Sequence, residues 1–224
     1  MEIDDVEIVE KRTPFQGYFR IDKYKLRHRQ FEGGWGPVVE REIFERGHAA
    51  ACLPYDPVLD RVVLIEQFRP GAFAALDSHW FDGETQSPWL IEIIAGIIEP
   101  GESPENVIRR EALEEAGCAV LELEPIAHYL VTPGGSSESL FAFCGRVDAS
   151  KANGFHGLEH EGEDIRVFTV SADEAIALLD EGRIINSMTM IPLQWFRQNR
   201  ERIREMACRQ LPGVGEMASG GDDA

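Results

Sequence analysis

The sequence predicts an α/β domain, a mixed β-sheet with helices on both faces, preceded by a small antiparallel β extension. Three observations predict it. Many strand-length apolar runs are broken by two principal helical segments, the pattern of a sheet that needs cover on each face. Residues 104–116 carry a full set of helix start and stop signals. Residues 18–44 alternate apolar and charged side chains around a glycine-rich turn.

Residues 1–46 read as the extension. In YFRIDKYKLRHR, residues 18–29, Phe19, Ile21, Tyr24 and Leu26 stand among charged neighbours, a strand with one wet face. Gly33, Gly34, Gly36 and Pro37 mark a turn, and residues 38–44 form the partner strand. So small a meander buries little alone. It is expected to pack on the main domain or on a second subunit.

The main domain, residues 47–206, opens with two apolar strands, 48–57 and 61–70, around a Pro/Asp turn at 54–60. Residues 71–88, rich in Gly, Ser and Asp, read as a long loop. WLIEIIA, 89–95, is a strand. Gly101 then turns the chain, Ser103 caps a helix, Pro104 suits its first position and Glu105 favours the positive dipole end. Ile108, Ala112 and Ala116 face the core, and Gly117 supplies a left-handed stop. Residues 119–131 give a strand or two, 133–139 a Gly/Ser turn, 140–147 a strand, 148–164 a second long loop and 165–170 a strand. Ser171 and Glu174 make a capping box for a helix that Gly182 ends. The last helix covers 187–206, where Pro192 implies a late start or a kink. Residues 207–224, Gly-rich and polar from Leu211, read as a disordered tail.

At 224 residues the chain fits one large domain, or one with an extension, and 43% hydrophobic content supplies a core. A formal charge of −18 disfavours nucleic acid and anionic membranes. It also repels a phosphate substrate unless a cation bridges the two. No run approaches the roughly 18 apolar residues of a membrane span. The first residues, MEIDDVEIVEKR, lack the apolar segment of a secretory signal. Cys52, Cys118, Cys144 and Cys208 form no CxxC pair and read as reduced, mostly buried thiols of a cytoplasmic protein.

The chemistry concentrates in residues 96–118. Glu111, Glu114 and Glu115 stand at spacings of three and four and share one helix face. Like charges there repel, so a counter-charge is expected, and hard divalent cations such as Mg2+ prefer clustered carboxylates. The alternative is a merely solvated acidic face. Arg110 and Glu114 are spaced to form an ion pair. The acidic run 159–164 offers Glu159, Glu161, Glu163 and Asp164 as proton acceptors, or is simply a hydrophilic loop. Arg69 follows a strand and can fork onto a phosphate, or make a surface ion pair.

Residues 96–118 resemble the Nudix box. Gly96, Glu102, Arg110, Glu111, Glu114, Glu115 and Gly117 fall at its every fixed position, and Ala112 and Cys118 fill its hydrophobic slots with smaller residues than usual. Within the Nudix hydrolases the chain resembles the bacterial ADP-ribose pyrophosphatases over about residues 6–198. REIFERGHAA (41–50), VVLIEQFR (62–69), PGGSSE (133–138), HGLEHEGEDIRV (156–167) and Pro133, sixteen residues past Gly117, carry that resemblance. It implies a Nudix α/β/α sandwich and a cytoplasmic hydrolase. Such an enzyme cleaves ADP-ribose to AMP and ribose 5-phosphate with two or three Mg2+ ions, Mn2+ being a substitute. Glu111, Glu115 and the Ala95 carbonyl would ligate metal. Glu102 would add a carboxylate or a structural contact, Glu114 would lie near the metals, and Arg110 would hold the glutamates. Glu161 would be the base, with Glu163 beside it. Arg69 would bind phosphate, while Tyr18, Arg41 and Glu42 would hold the adenine end across a homodimer that exchanges its N-terminal sheets. The 71–88 loop, longer than in the nearest relatives, leaves ADP-glucose and GDP-mannose as alternatives. A catalytically silent module is the alternative of another class.

Overall fold

The computed structural model describes residues 1–81 and 87–210, the side chains of Glu161 and of residues 208–210 excepted. Residues 211–224 of the expected disordered tail lie outside the described residues. The chain divides into two compact units, Met1–Ala49 with His128–Leu140, and Ala50–Ala127 with Phe141–Ala224.

The first unit is a three-stranded antiparallel sheet, β1 (Val6–Gln16), β2 (Arg20–His28) and β3 (Val39–Glu45), in that order. Only the last two strands were expected. All eleven residues of β1 are exposed, so no buried stripe marks it in the sequence. Asp22, buried in β2, is held by the Thr13 hydroxyl at 2.7 Å and by Lys11 and Arg20 at 3.0 and 3.1 Å. The Gly/Ser turn at 133–139 belongs to this unit. Phe44 N–H donates to the Gly135 carbonyl at 2.8 Å, the Ser136 hydroxyl donates to the Phe44 carbonyl at 3.1 Å, and Arg46 lies 3.4 Å from Glu138.

The remaining elements, which lie wholly or mostly in the second unit, are β4 (Ala49–Asp56), β5 (Arg61–Phe68), α1 (Pro70–Ala75), β6 (Trp89–Glu92), β7 (Ile94–Ile97), α2 (Pro104–Ala116), β8 (Glu122–Leu130), β9 (Ser139–Arg146), β10 (Gly154–His156), β11 (Ile165–Ser171), α3 (Ala172–Asp180) and α4 (Ser187–Gln210). The mixed eight-stranded sheet runs β10-β11-β5-β4-β9-β8, with β6 paired to β5 and β7 to β4. Every residue of β4 is buried, which requires cover on both faces. Alternation sorts the side chains. Ala50, Cys52, Val63 and Ile65 join Ile108, Ala112 and Ala116 of α2 in one core. Tyr55 points the other way, its ring 4.7 Å from Phe196 of α4 in an edge contact. Cys52, Cys118 and Cys144 are free and buried, as expected; the side chain of Cys208 is outside the described residues.

Four expectations need correction. Residues 71–88 are not all loop: Pro70 fixes the first turn of α1, and Phe73 N–H reaches the Arg69 carbonyl at 3.0 Å. Residues 82–86 of that segment lie outside the described residues. The second long loop, 148–164, contains β10, a short edge strand paired with β11. WLIEIIA is two strands, because the chain leaves β5 for β4 at Ile93, whose N–H donates to the Thr189 hydroxyl at 3.2 Å. The last helix begins at Ser187 as expected, with no late start, but runs to Gln210, so residues 207–210 of the expected tail are helical. Asn186 accepts the Thr189 N–H at 3.0 Å and donates to the Ile91 carbonyl at 3.0 Å, so α4 begins at Ser187 despite Pro192.

Phe196→Ala is expected to lower the unfolding free energy by about 3–5 kcal/mol in urea denaturation, because its buried ring leaves a cavity against Tyr55. Exposed Lys151→Ala should stay within about 0.5 kcal/mol of the parent.

Candidate active site

The helix α2 is set by its ends. The Ser103 hydroxyl accepts the Asn106 N–H at 3.3 Å, and Pro104 begins the helix. At the other end Gly117 is left-handed, φ 60°, and Cys118 N–H closes on the Ala112 carbonyl at 3.0 Å. A side chain on Gly117 would also strike His156, its Cβ 2.6 Å from the ring. With Val107, Ile108, Ala112 and Ala116 buried, the glutamates are committed to the adjoining flank, beside the end of β7.

There the helix and strand touch. Ala95 N–H donates to Glu115 Oε2 at 2.9 Å. A Cβ on Gly96 would fall 1.9 Å from Glu111 Oε1, so only glycine admits that carboxylate. Arg110 organises the rest. Its Nη1 donates to Glu111 at 2.7 Å and to Glu114 at 3.0 Å, and its Nε and Nη2 reach Glu102 at 3.3 and 3.4 Å. The expected Arg110–Glu114 pair is present. Burial raises the Glu111 carboxyl to about 7 although Arg110 works against it, with the charges of Glu114 and Glu163 adding to the rise. Glu115, only 3% exposed, is raised well above the usual range by burial, against the Ala95 hydrogen bond. Glu102 is lowered by the Arg110 hydrogen bond.

A second cation borders the cluster. Arg69 donates from Nε to Glu92 at 2.9 Å and brings Nη2 within 2.7 Å of it as an ion pair, and Gln67 donates to the same carboxylate at 3.3 Å. Burial opposes the Arg69 charge, but Glu92, Glu115 and Glu163 together hold its pKa above the ordinary value. The loop carrying Glu163 is tied to α2: Gly157 N–H donates to the Glu114 carbonyl at 3.2 Å, and Leu158 N–H to Glu163 Oε2 at 3.1 Å. Glu161 ends a 3-10 turn in that loop, and its side chain is outside the described residues.

The fold therefore brings together Ala95, Glu102, Arg110, Glu111, Glu114 and Glu115, with Arg69 and Glu163 in their field. Tyr18, Arg41 and Glu42 lie in the three-stranded unit, Tyr18 with 87% of its surface exposed and Arg41 and Glu42 on β3. Sequence reasoning missed Glu92, Gln67 and Gly157. A lone glutamate inside the apolar run WLIEIIA was the available signal for Glu92.

Among the described residues, no three His, Cys, Asp or Glu side chains already converge as a metal-holding set, and Arg110 engages the Glu111 and Glu114 oxygens. The donor chemistry nevertheless suits a hard divalent cation. Glu115 is buried yet, among the described residues, hydrogen-bonded only by a neutral amide, and a buried carboxylate ordinarily requires a cationic partner. Oxygen donors beside a strand edge without a side chain are what such an ion accepts.

The raised Glu111 has a consequence for stability. The folded state keeps a proton that the unfolded chain releases above the ordinary value of 4.5. Stability of the chelator-treated protein should fall as pH rises from about 4.5 to about 7, by up to ~1.4 kcal/mol per pH unit for this one group. Urea denaturation at pH 5, 6 and 7 should find a shallower decline in Glu111→Gln; parallel profiles would contradict the assignment.

Comparison with known proteins agrees with this geometry. The NUDIX domain family model matches residues 45–187. The ADP-ribose pyrophosphatase of Escherichia coli (strain K12) is 48% identical over 201 residues, covering 90% of this chain and 92% of the relative. The GDP-mannose pyrophosphatase of Pectobacterium atrosepticum is 34% identical over 190 residues, covering 84% and 92%. A crystal structure of an ADP compounds hydrolase superposes with a TM-score of 0.66 at 19% identity, covering 91% of this chain and 99% of that one, a likeness of fold. With its box glutamates gathered by Arg110 at the Ala95–Gly96 edge, this chain belongs to the NUDIX domain family.

Proposed function

We propose that the chain hydrolyses ADP-ribose to AMP and ribose 5-phosphate with Mg2+, Mn2+ serving as a substitute. The acidic cluster of α2, closed against the end of β7, carries the reading of a diphosphatase. The 48% identity to relatives named ADP-ribose pyrophosphatase, over nine-tenths of the chain, supports the substrate. The 34% relative named GDP-mannose pyrophosphatase keeps another nucleoside diphosphate sugar, GDP-mannose or ADP-glucose, as the second reading.

Glu111, Glu115 and the Ala95 carbonyl would hold the metal, with Glu114 and Glu102 orienting the set through Arg110. Bound divalent ions would neutralise the diphosphate and sharpen water as a nucleophile. Glu161 takes the proton of a water that attacks the adenosyl phosphorus. The bond to the bridging oxygen breaks, and its electron pair leaves with ribose 5-phosphate. An ordinary carboxylate, titrating near ~4.3, is ionised at neutral pH and suited to this role. Glu163 is the neighbour that closes the loop through Leu158. Arg69 meets the phosphates.

The chain acts as a cytoplasmic homodimer in this proposal, exchanging its N-terminal sheets so that Tyr18, Arg41 and Glu42 hold adenine. Support comes from β1, an edge strand exposed along its length with Ile8, Val9 and Phe15 open to solvent, since such edges template pairing. The free, buried Cys52, Cys118 and Cys144 fit a reducing compartment. Among the described residues no helix is long and apolar enough to cross a membrane.

Steady-state hydrolysis of a sugar-nucleotide panel should give the highest kcat/KM with ADP-ribose; an equal or higher value for GDP-mannose or ADP-glucose favours the second reading. Glu115→Gln at saturating Mg2+ should lose about a hundredfold or more in rate, and an unchanged rate removes it from the metal set. Glu161→Gln should cost roughly a hundredfold in kcat, whereas a loss below about threefold transfers the role to Glu163. Light scattering should give about twice 25.1 kDa, with Ile8→Asp/Phe15→Asp shifting the protein to monomer and raising KM.

A further inference from the structure

Glu92 is a buried charge that the proposed reaction does not use. It lies on β6 directly opposite Ile65 of β5, with Gln67 one step along the same face. Ile65 shares a core with Ile108 and Ala112, so this is the face of the sheet that carries α2. Glu92 is 3% exposed, and a carboxylate so far from water is costly unless fully paired. One oxygen accepts two hydrogen bonds, from Arg69 Nε at 2.9 Å and Gln67 Nε2 at 3.3 Å, and pairs with the charge of Arg69 Nη2 at 2.7 Å.

The Nε hydrogen bond and the Nη2 ion pair turn one edge of the Arg69 guanidinium toward Glu92. Its Nη1 has no hydrogen-bond partner among the described residues. Arg69 also lies in the field of Glu115 and Glu163. An unrestrained arginine at the rim of an acidic cluster would collapse onto it, cancelling both the carboxylates and its own charge. Glu92 competes for the cation from behind.

We propose that Glu92, steadied by Gln67, is a positioning residue. It holds Arg69 away from the carboxylates of α2 and keeps the free edge of the guanidinium for a phosphate of the substrate. The proposal rests on the diphosphatase reading of this site, but the clamp itself is observable without a substrate.

The test is a double-mutant cycle of wild type, Glu92→Gln, Arg69→Ala and the pair, with folding checked by circular dichroism. Glu92→Gln should raise KM for ADP-ribose about tenfold with kcat within about threefold. It should also raise the Mg2+ concentration needed for half-maximal rate. In the Arg69→Ala background it should add less than about twofold. Glu92→Asp, which keeps the charge, should recover part of the loss. In ¹H–¹⁵N spectra the protected Arg69 Nε–H resonance should be present in wild type and lost in Glu92→Gln. A loss that persists at full size in the Arg69→Ala background overturns the proposal, as does a resonance that survives Glu92→Gln. If Glu92→Gln fails to fold, Gln67→Leu takes its place, with a smaller KM increase expected and no increase contradicting the role. A wild-type protein that cleaves no sugar nucleotide would contradict the functional reading instead, and the resonance then decides the clamp alone.

Discussion

The hydrogen bond from the Ala95 amide to Glu115, 2.9 Å long, is the contact on which the rest of this site depends. It joins the short strand β7, which pairs with β4, to one flank of α2 and sets how far apart they stand. At that separation Gly96 can carry no side chain, because Glu111 occupies the space a Cβ would need. The last turn of the helix must stop where Gly117 clears His156, and the following loop must return so that Gly157 reaches the Glu114 carbonyl. Gly96 is thus explained by that distance of approach, Gly117 and Gly157 by their left-handed φ and by His156 and Glu163 beside them.

That approach concentrates charge of one sign, and the electrostatics follow. The chain is acidic overall, −18 by formal count, and its candidate site is more acidic still. Two arginines answer it in different ways. Arg110 spreads its guanidinium over Glu102, Glu111 and Glu114, so no single carboxylate is neutralised. Arg69 is bound at its back by Glu92 and faces the cluster only through its field. Glu115 is left with a neutral amide as its bonded partner. A buried carboxylate in that state is a cost to the fold, and a divalent cation is the group whose binding would reverse it.

Much of this was legible in the sequence, for a physical reason. Helix ends use local chemistry, so Ser103, Pro104, Gly117 and the Ser171–Glu174 box could be read directly and are found in place. The glutamate spacing and the Arg110–Glu114 pair are likewise local. What escaped was decided by contacts distant in sequence. The strand β1 has no buried face to betray it. The break at Ile93 depends on Thr189, nearly a hundred residues on, and α4 begins at Ser187 because Asn186 caps it and also bonds β6. Glu92 is one charge in an apolar run, and its partners Arg69 and Gln67 lie more than twenty residues away in sequence.

The central claim is that the glutamates of α2 and the end of β7 form a cation site. Anomalous diffraction from crystals soaked in Mn2+ tests it most directly. The account predicts a peak about 2.0–2.3 Å from carboxylate oxygens of Glu111 and Glu115 and from the Ala95 carbonyl. A strong peak only elsewhere, or none at this edge at saturating Mn2+, would contradict it.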